Sequence, residues 1–217
     1  MINTKSLIQI AVDEVIQQNF RTTQQYLKVH SLVKTNEIPQ ISRIDTDKND
    51  GTVIVYFSLV NYDYYLSVWI NTTPKLEIRS VSIEAGNQVY LSVTSEGATL
   101  QEILNTTTIK PTKKWNNGDT IVGKRKYRTS GIIFEPFPEK ADELEDKVEK
   151  LIKELYPHKN ELTKLSEISE LCIKIKYLGY KNEMWGWHIN NETLTKISEL
   201  SSSIDFDIYA KGPDLQE

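Results

Sequence analysis

Cysteine is nearly missing from this chain: Cys172 stands alone, which excludes an internal disulfide and a zinc site built on several thiolates. A reducing compartment is the expected setting. Histidine is scarce as well. His30, His158 and His188 lie far apart and outside any ligand spacing such as His-Glu-x-x-His, so no metal is expected. There is no Gly-x-Ser-x-Gly elbow, phosphate loop or dinucleotide fingerprint, so no cofactor is expected and the chain reads as a non-enzyme. No apolar run approaches the roughly 20 residues that cross a bilayer. The opening Met1-Ile2-Asn3-Thr4-Lys5 lacks the basic and apolar regions of a signal peptide. A cytoplasmic protein with no membrane partner is the expectation.

What is there is an ordinary globular composition. Of 217 residues, 39% are hydrophobic and 26% charged, enough for two modest cores rather than disorder. A net charge of -4 argues against a general nucleic-acid binder but leaves room for a local basic patch. Two units are expected, an N-terminal helix plus antiparallel β-meander over residues 1–80 and an α+β domain over residues 81–217.

Leu7, Ile8, Ala11, Val12, Val15 and Ile16 recur at helical spacing, with Asn3 or Thr4 available as cap. Residues 21–33 suit either a helix or a strand. Ile38-Pro39 ends whatever precedes it, and residues 45–51 read as a polar loop. From Thr52 the period changes to two. Val53, Val55, Phe57 and Leu59 share one face, and across a turn at residues 60–63 so do Tyr64, Leu66, Val68 and Ile70. Residues 76–83 and 89–95 give two more strands around a turn at residues 84–87. A short helix at residues 99–104 leads to residues 109–119, a loop that Pro111 and Asn116-Asn117-Gly118-Asp119 shape and that Trp115 fastens, its indole N–H finding a partner. A strand over residues 132–134 follows. Pro138 then opens a helix with the stripe Ala141, Leu144, Val148, Leu151, Ile152 and Leu155. Its pairs Glu143 with Lys147, Asp146 with Lys150 and Glu149 with Lys153 are spaced as a solvated ionic face. Tyr156-Pro157-His158 breaks that helix, a strand spans residues 171–177, and a last helix from Asn191 points Leu194, Ile197 and Leu200 inward. A final strand alternates Ile204, Phe206 and Ile208 with Asp205, Asp207 and Tyr209, and the tail from Lys211 reads as frayed.

From about residue 89 to 211 the chain resembles bacterial proteins grouped as domain of unknown function 4279. The resemblance rests on Lys110-Pro111-Thr112 with Trp115 and Gly118-Asp119, a basic segment, the long amphipathic helix and the ending Ile204-Asp205-Phe206-Asp207-Ile208-Tyr209. Relatives often carry a tryptophan in the strand after the basic segment, where this chain has Gly131-Ile132-Ile133-Phe134. The resemblance implies an α+β domain, and an association with bacterial toxin genes, without an assigned activity.

Asp205 and Asp207 could form an acid–base pair, but Lys174 and Lys176 alternate the same way, so cross-strand ion pairing explains both. Cys172, between Leu171 and Ile173, reads as a structural thiol. The conspicuous cluster is basic: Lys110, Lys113, Lys114, Lys124, Arg125, Lys126 and Arg128, interleaved with Trp115 and Tyr127. It is a solvated loop offset by the acidic stretch 139–149, a grip for an acidic protein, or a nucleic-acid site. Trp185 and Trp187 flank Gly186 as core anchors or as a binding tip. Lys113, Lys114, Trp115, Lys124, Arg125, Lys126, Tyr127, Arg128, Trp185 and Trp187 are therefore the candidate partner-binding residues. The expected function is that of a non-catalytic protein binder, an immunity protein that occludes a cognate toxin. The alternatives are a small-molecule binder using Tyr56, Tyr65 and Trp69, and nucleic-acid binding through residues 110–128.

Overall fold

The structure, a computed structural model, describes residues 4–46, 48 and 50–216. Asn3, one of the two expected caps, lies outside them. Among the described residues no helix is long and apolar enough to cross a membrane.

The chain folds as an α+β protein with a four-stranded sheet and a two-stranded hairpin in the N-terminal half and a five-stranded sheet in the C-terminal half. Strand β4 (Thr52–Ser58) buries both faces. Val53, Val55 and Phe57 meet helix α1 (Thr4–Gln17) and helix α2 (Arg21–Val29), while Ile54 and Tyr56 face the other way. β4 pairs antiparallel with β5 (Tyr65–Asn71), and β5 with β6 (Glu77–Glu84), as the alternation requires. In α1, Leu7, Ala11 and Val15 are buried, but Ile16 turns outward and is 61% exposed. The ambiguous segment 21–33 is helical as far as Val29.

Two expectations fail nearby. Ile38–Pro39 does not merely end a segment: it pairs with Lys34–Thr35 in a small hairpin (β2 and β1), turned by Asn36 and Glu37 at positive φ. An unexpected strand β3 (Ile41–Asp45) then lines β4, so Asp45 belongs to a strand rather than to the polar loop. A bulge between Ile41 and Arg43 breaks its alternation, which erases the period-two signal.

β6 and the next strand, β7 (Gly86–Ser95), are separated by Ala85 alone, yet they lie in different sheets. The expected turn at residues 84–87 is thus a corner where the backbone leaves one sheet and enters the other. A Cβ on Gly86 would stand 1.8 Å from the Asp63 carbonyl oxygen, so only glycine fits this crossing.

The second sheet has the order β11 (Ser203–Lys211), β10 (Glu170–Tyr180), β7, β9 (Ser130–Phe134), β8 (Lys113–Trp115). Only the β10–β11 pairing is parallel. Four helices cover it: α3 (Leu100–Thr106), α4 (Leu144–Leu155), α5 (Lys159–Leu165) and α6 (Asn191–Glu199). Leu91, Val93, Ile173 and Ile175 meet Val148, Leu151, Ile152 and Leu162 in one core. Thr99 caps α3 in a box with Glu102, and Asn190 caps α6 by accepting from Thr193 N at 2.8 Å. α4 starts at Leu144 rather than at Pro138, because Ala141 is held in a bridge to Gly86 and packs on Ile54 and Tyr56. Leu194 is 47% exposed, unlike Ile197 and Leu200, so α6 has a narrower apolar stripe than expected.

The halves share a seam. Tyr180, at the end of β10, is buried in the N-terminal core, with its ring 4.8 Å from His30 and 5.5 Å from Tyr64. The Tyr26 hydroxyl donates to Glu183. The tail is docked, not frayed: Pro213 O accepts from Tyr180 Oη at 2.9 Å, Lys181 pairs with Asp214 at 2.8 Å, and Leu215 packs on the N-terminal core.

Candidate functional site

Trp115 ends an edge strand instead of hanging in a loop. The indole covers Gly131, where an added Cβ would meet it at 2.5 Å, so Trp115 itself fills the core space left by the glycine in β9. It is 7% exposed and stacks on Tyr127 with centroids 5.0 Å apart. Lys113 Nζ lies 6.0 Å from the Trp115 centroid and 5.7 Å from that of Tyr127. The ring is fastened as expected, but by packing: its buried N–H has no hydrogen-bond partner among the described residues.

Beyond Trp115 the chain runs out and back as an arm, residues 116–129. Gly118 N donates to Tyr127 O at 2.9 Å, Tyr127 N to Asp119 O at 2.9 Å and Ile121 N to Arg125 O at 2.8 Å. Gly118 and Gly123 supply the positive φ that the two bends need. Asp119, the only acid between residues 110 and 128, is used internally and accepts from Asn116 N at 2.7 Å. Lys124, Arg125, Lys126 and Arg128 are exposed along the returning limb. None of the seven basic residues of this region forms an ion pair among the described residues. Val122 at the tip is 76% exposed, beside Ile121. The arm bounds an open concavity of about 840 Å³.

The acidic stretch does not neutralise this arm. Glu143 and Asp146 receive Lys48 from the N-terminal half, and Lys150 reaches Asp142 at 3.1 Å. Lys147 does not pair with Glu143. It is 1% exposed, and its ammonium donates to Asn87 O at 2.7 Å and to Glu139 O, with burial pushing its pKa down to about 8. Glu149 accepts from Asn190 Nδ2 at 3.0 Å. The expected solvated face is therefore in part a buried network. Within it, carboxylate oxygens of Asp45, Asp142 and Asp146 lie within 4.8 Å of one another, a grouping that could hold a metal. The protein's own cations already serve them: Lys48 contacts Asp45 and Asp146, and Arg43 contacts Asp45 and Asp142.

The model of the family described as Domain of unknown function (DUF4279) matches residues 84–211. The chain belongs to that family. No curated protein and no solved structure matches it. The DUF4279 match starts at the last residue of β6 and ends at the last residue of β11, so it spans the five-stranded sheet, its four helices and the arm.

The other candidates fall elsewhere on the DUF4279 unit. Trp185 and Trp187 flank β10, three strands from β8, and join the basic arm in no common site. Both are half-buried. Trp187 stacks on Phe206 at 5.3 Å and meets Tyr177 edge-on at 5.0 Å, and Trp185 lies over Gly179. Trp187 packs on the core of the second sheet, whereas Trp185 packs on Tyr177 and Gly179 outside it; Met184 beside them is 99% exposed. Lys174 pairs with Asp205, but Lys176, opposite Asp207 in register, holds its ammonium 5.6 Å from the Tyr209 ring centroid, so among the described residues cross-strand ion pairing is found for Asp205 and not for Asp207. Cys172 is buried. In the N-terminal sheet Tyr56 is wholly buried under Ala141 and so closed to a ligand, while Tyr65 and Trp69 are half-buried and Trp69 donates to Ser67 and Ser82 hydroxyls at 3.1 and 3.2 Å. Sequence reasoning missed Lys48, Glu84 and Asn87, whose roles arise from the meeting of the two halves and leave no local pattern.

Proposed function

We propose that this protein is a non-catalytic binding protein whose basic arm docks on an acidic face of a partner protein, the partner being a toxin that it occludes. One observation carries the reading: four exposed cations on a braced arm, Lys124, Arg125, Lys126 and Arg128, and three more at its base, Lys110, Lys113 and Lys114, have no ion-pair partner among the described residues. Elsewhere lysines such as Lys140, Lys159, Lys174 and Lys196 have acidic partners. Concentrated like charge speeds encounter with a surface of opposite sign. Ile121 and Val122 then offer apolar contact at the tip.

A protein partner fits better than nucleic acid because the aromatic rings are already engaged. Trp115 is buried and Tyr127 stacks on it, which leaves no open ring pair for bases to stack upon. The grouping of Thr108, His158 and Glu161 does not have the geometry of a catalytic relay. Thr108 Oγ1 and Glu161 Oε2 both approach the same ring nitrogen of His158, Nδ1, at 3.3 and 3.5 Å, whereas a relay needs one partner on each nitrogen.

The test is capture from the native cell followed by a binding titration. Arg125→Glu with Lys126→Glu should weaken the captured complex by at least about tenfold, mainly through slower association, with an unchanged circular dichroism spectrum. A complex indifferent to both changes, or steep salt-dependent binding to RNA or DNA with no protein captured, would sink the reading.

A further inference from the structure

The five-stranded sheet ends on one side in β11, and among the described residues no strand pairs with its outer edge. A free edge is a template for another strand, and proteins usually blunt it by shortness, bulges or proline. The other edges are blunted in these ways. β8 has three residues, β3 is broken by a bulge, the β5–β6 pairing shifts register, and β1 and β2 have two residues each. β11 has nine residues, no proline and an unbroken register against β10. Within it Ile208 and Tyr209 are 46% and 45% exposed. The tail does not cover this edge: after Gly212, at positive φ, it runs to the N-terminal core, where Leu215 packs.

One bond sets the direction of the free backbone groups. Lys181 N donates to Lys211 O at 3.0 Å, so the backbone groups of Lys211 point at β10, and by alternation so do those of Tyr209, Asp207 and Asp205. The N–H and C=O of Phe206, Ile208 and Ala210 therefore point outward.

The side chains select a second copy as the occupant. Two copies related by a two-fold axis normal to the sheet pair their β11 strands antiparallel, each residue opposite one on the same face. Centred on Asp207 or Asp205, the pairing sets a carboxylate against itself; centred on Phe206, it sets Asp205 against Asp207 twice. Like charges directly opposite are destabilising. Centred on Ile208, no like pair arises. Lys211 then faces Asp205 at each end, Asp207 faces Tyr209, Phe206 faces Ala210, and the exposed Ile208 meets its own copy. The outward backbone groups match the same register, because Ile208 with Ile208 and, twice, Phe206 with Ala210 are then the pairs that exchange both N–H···O bonds. An axis at Tyr209 also avoids like charges but keeps only the two Ile208–Ala210 pairs.

We propose that β11 is a self-association edge, through which two copies of this chain join about Ile208 into one ten-stranded sheet. β8, at the base of the arm, is the opposite edge of the sheet, so the dimer leaves both arms free. Nine strand spacings of about 4.8 Å set the two β8 strands about 43 Å apart.

Sedimentation velocity of the full chain over a wide concentration range tests this, and a monomer–dimer equilibrium is expected. Hydrogen exchange at the Phe206, Ile208 and Ala210 amides should slow as the dimer forms, while Asp207 and Tyr209, already bonded to β10, should not change. Ile208→Pro removes an N–H that β10 does not use and should weaken the dimer at least about tenfold, with an unchanged circular dichroism spectrum. Lys211→Glu, which sets a like charge against Asp205, should weaken it as well. In a Cys172→Ser background, a mixture of Asp207→Cys and Tyr209→Cys chains should form a disulfide on oxidation, since directly opposite Cα atoms in such a pair are about 4.5 Å apart. A disulfide formed by Tyr209→Cys chains alone would move the axis and overturn the Ile208 register. A chain that stays monomeric, a dimer indifferent to Ile208→Pro and Lys211→Glu, or β11 amides protected only when a different, captured protein is added overturns the proposal.

Discussion

Lys147 exchanges water for the carbonyl oxygens of Asn87 and Glu139, so its ammonium knits the start of β7 to the approach of α4. Lys147→Met keeps the aliphatic stem and strands both acceptors. Urea unfolding should show a loss of about 1–3 kcal/mol, the usual cost of unpaired buried polar groups. Glu84 gives a pH signature. Burial, with Glu143 and Glu183 nearby, raises its pKa from 4.5 to about 7 on folding, so between those values the folded chain keeps a proton that the unfolded chain has lost. Its contribution to stability is therefore greatest below about pH 4.5 and declines as pH rises to about 7. Melting of Glu84→Gln across that range should lack this part of the slope, with the variant gaining on the parent above pH 7. An identical pH profile for the two proteins would contradict the assignment.

At the scale of the element, the arm depends on how β8 and β9 meet. Gly131→Ala would bring a Cβ to 2.4 Å from Val93 O and 2.5 Å from the Trp115 ring. We expect a loss of about 1–3 kcal/mol from overpacking, with faster hydrogen exchange at Gly118 and Tyr127 as the brace loosens. Unchanged exchange there would mean that the arm holds itself. Elements with an unbroken period were legible in the sequence: the β4–β5 hairpin, β10, and α4 from Leu144 onward. β3 was hidden by its bulge and β8 by its shortness, since three residues carry too little alternation to register. The false start of α4 has a different cause. Ala141 keeps helical spacing with Leu144 and Val148, but tertiary packing against Ile54 and Tyr56 claims it for the other half. The basic cluster was visible as composition, whereas the corner around Glu84 and Asn87 is built from β6, β7, the approach to α4 and the segment after β10.

Across the whole molecule, the Tyr180 side chain, Lys48 and the Tyr26–Glu183 bond tie the two cores together. A single cooperative melting transition is expected, the same by near-UV and far-UV circular dichroism. Tyr180→Ala removes a wholly buried aromatic and should cost about 3–5 kcal/mol, enough to separate the transitions, with the N-terminal half melting first. Two transitions in the parent protein would refute the coupling. The Tyr26–Glu183 bond also sets an order of assembly during synthesis, because its residues are 157 positions apart. At about 5–20 residues per second, Tyr26 is made roughly 8 to 30 seconds before its acceptor. Once Glu84 is made the first half is a complete set of strands around an unfinished aromatic core, and a pause in translation before Tyr180 would prolong the time when chaperones, or other nascent chains, find it open.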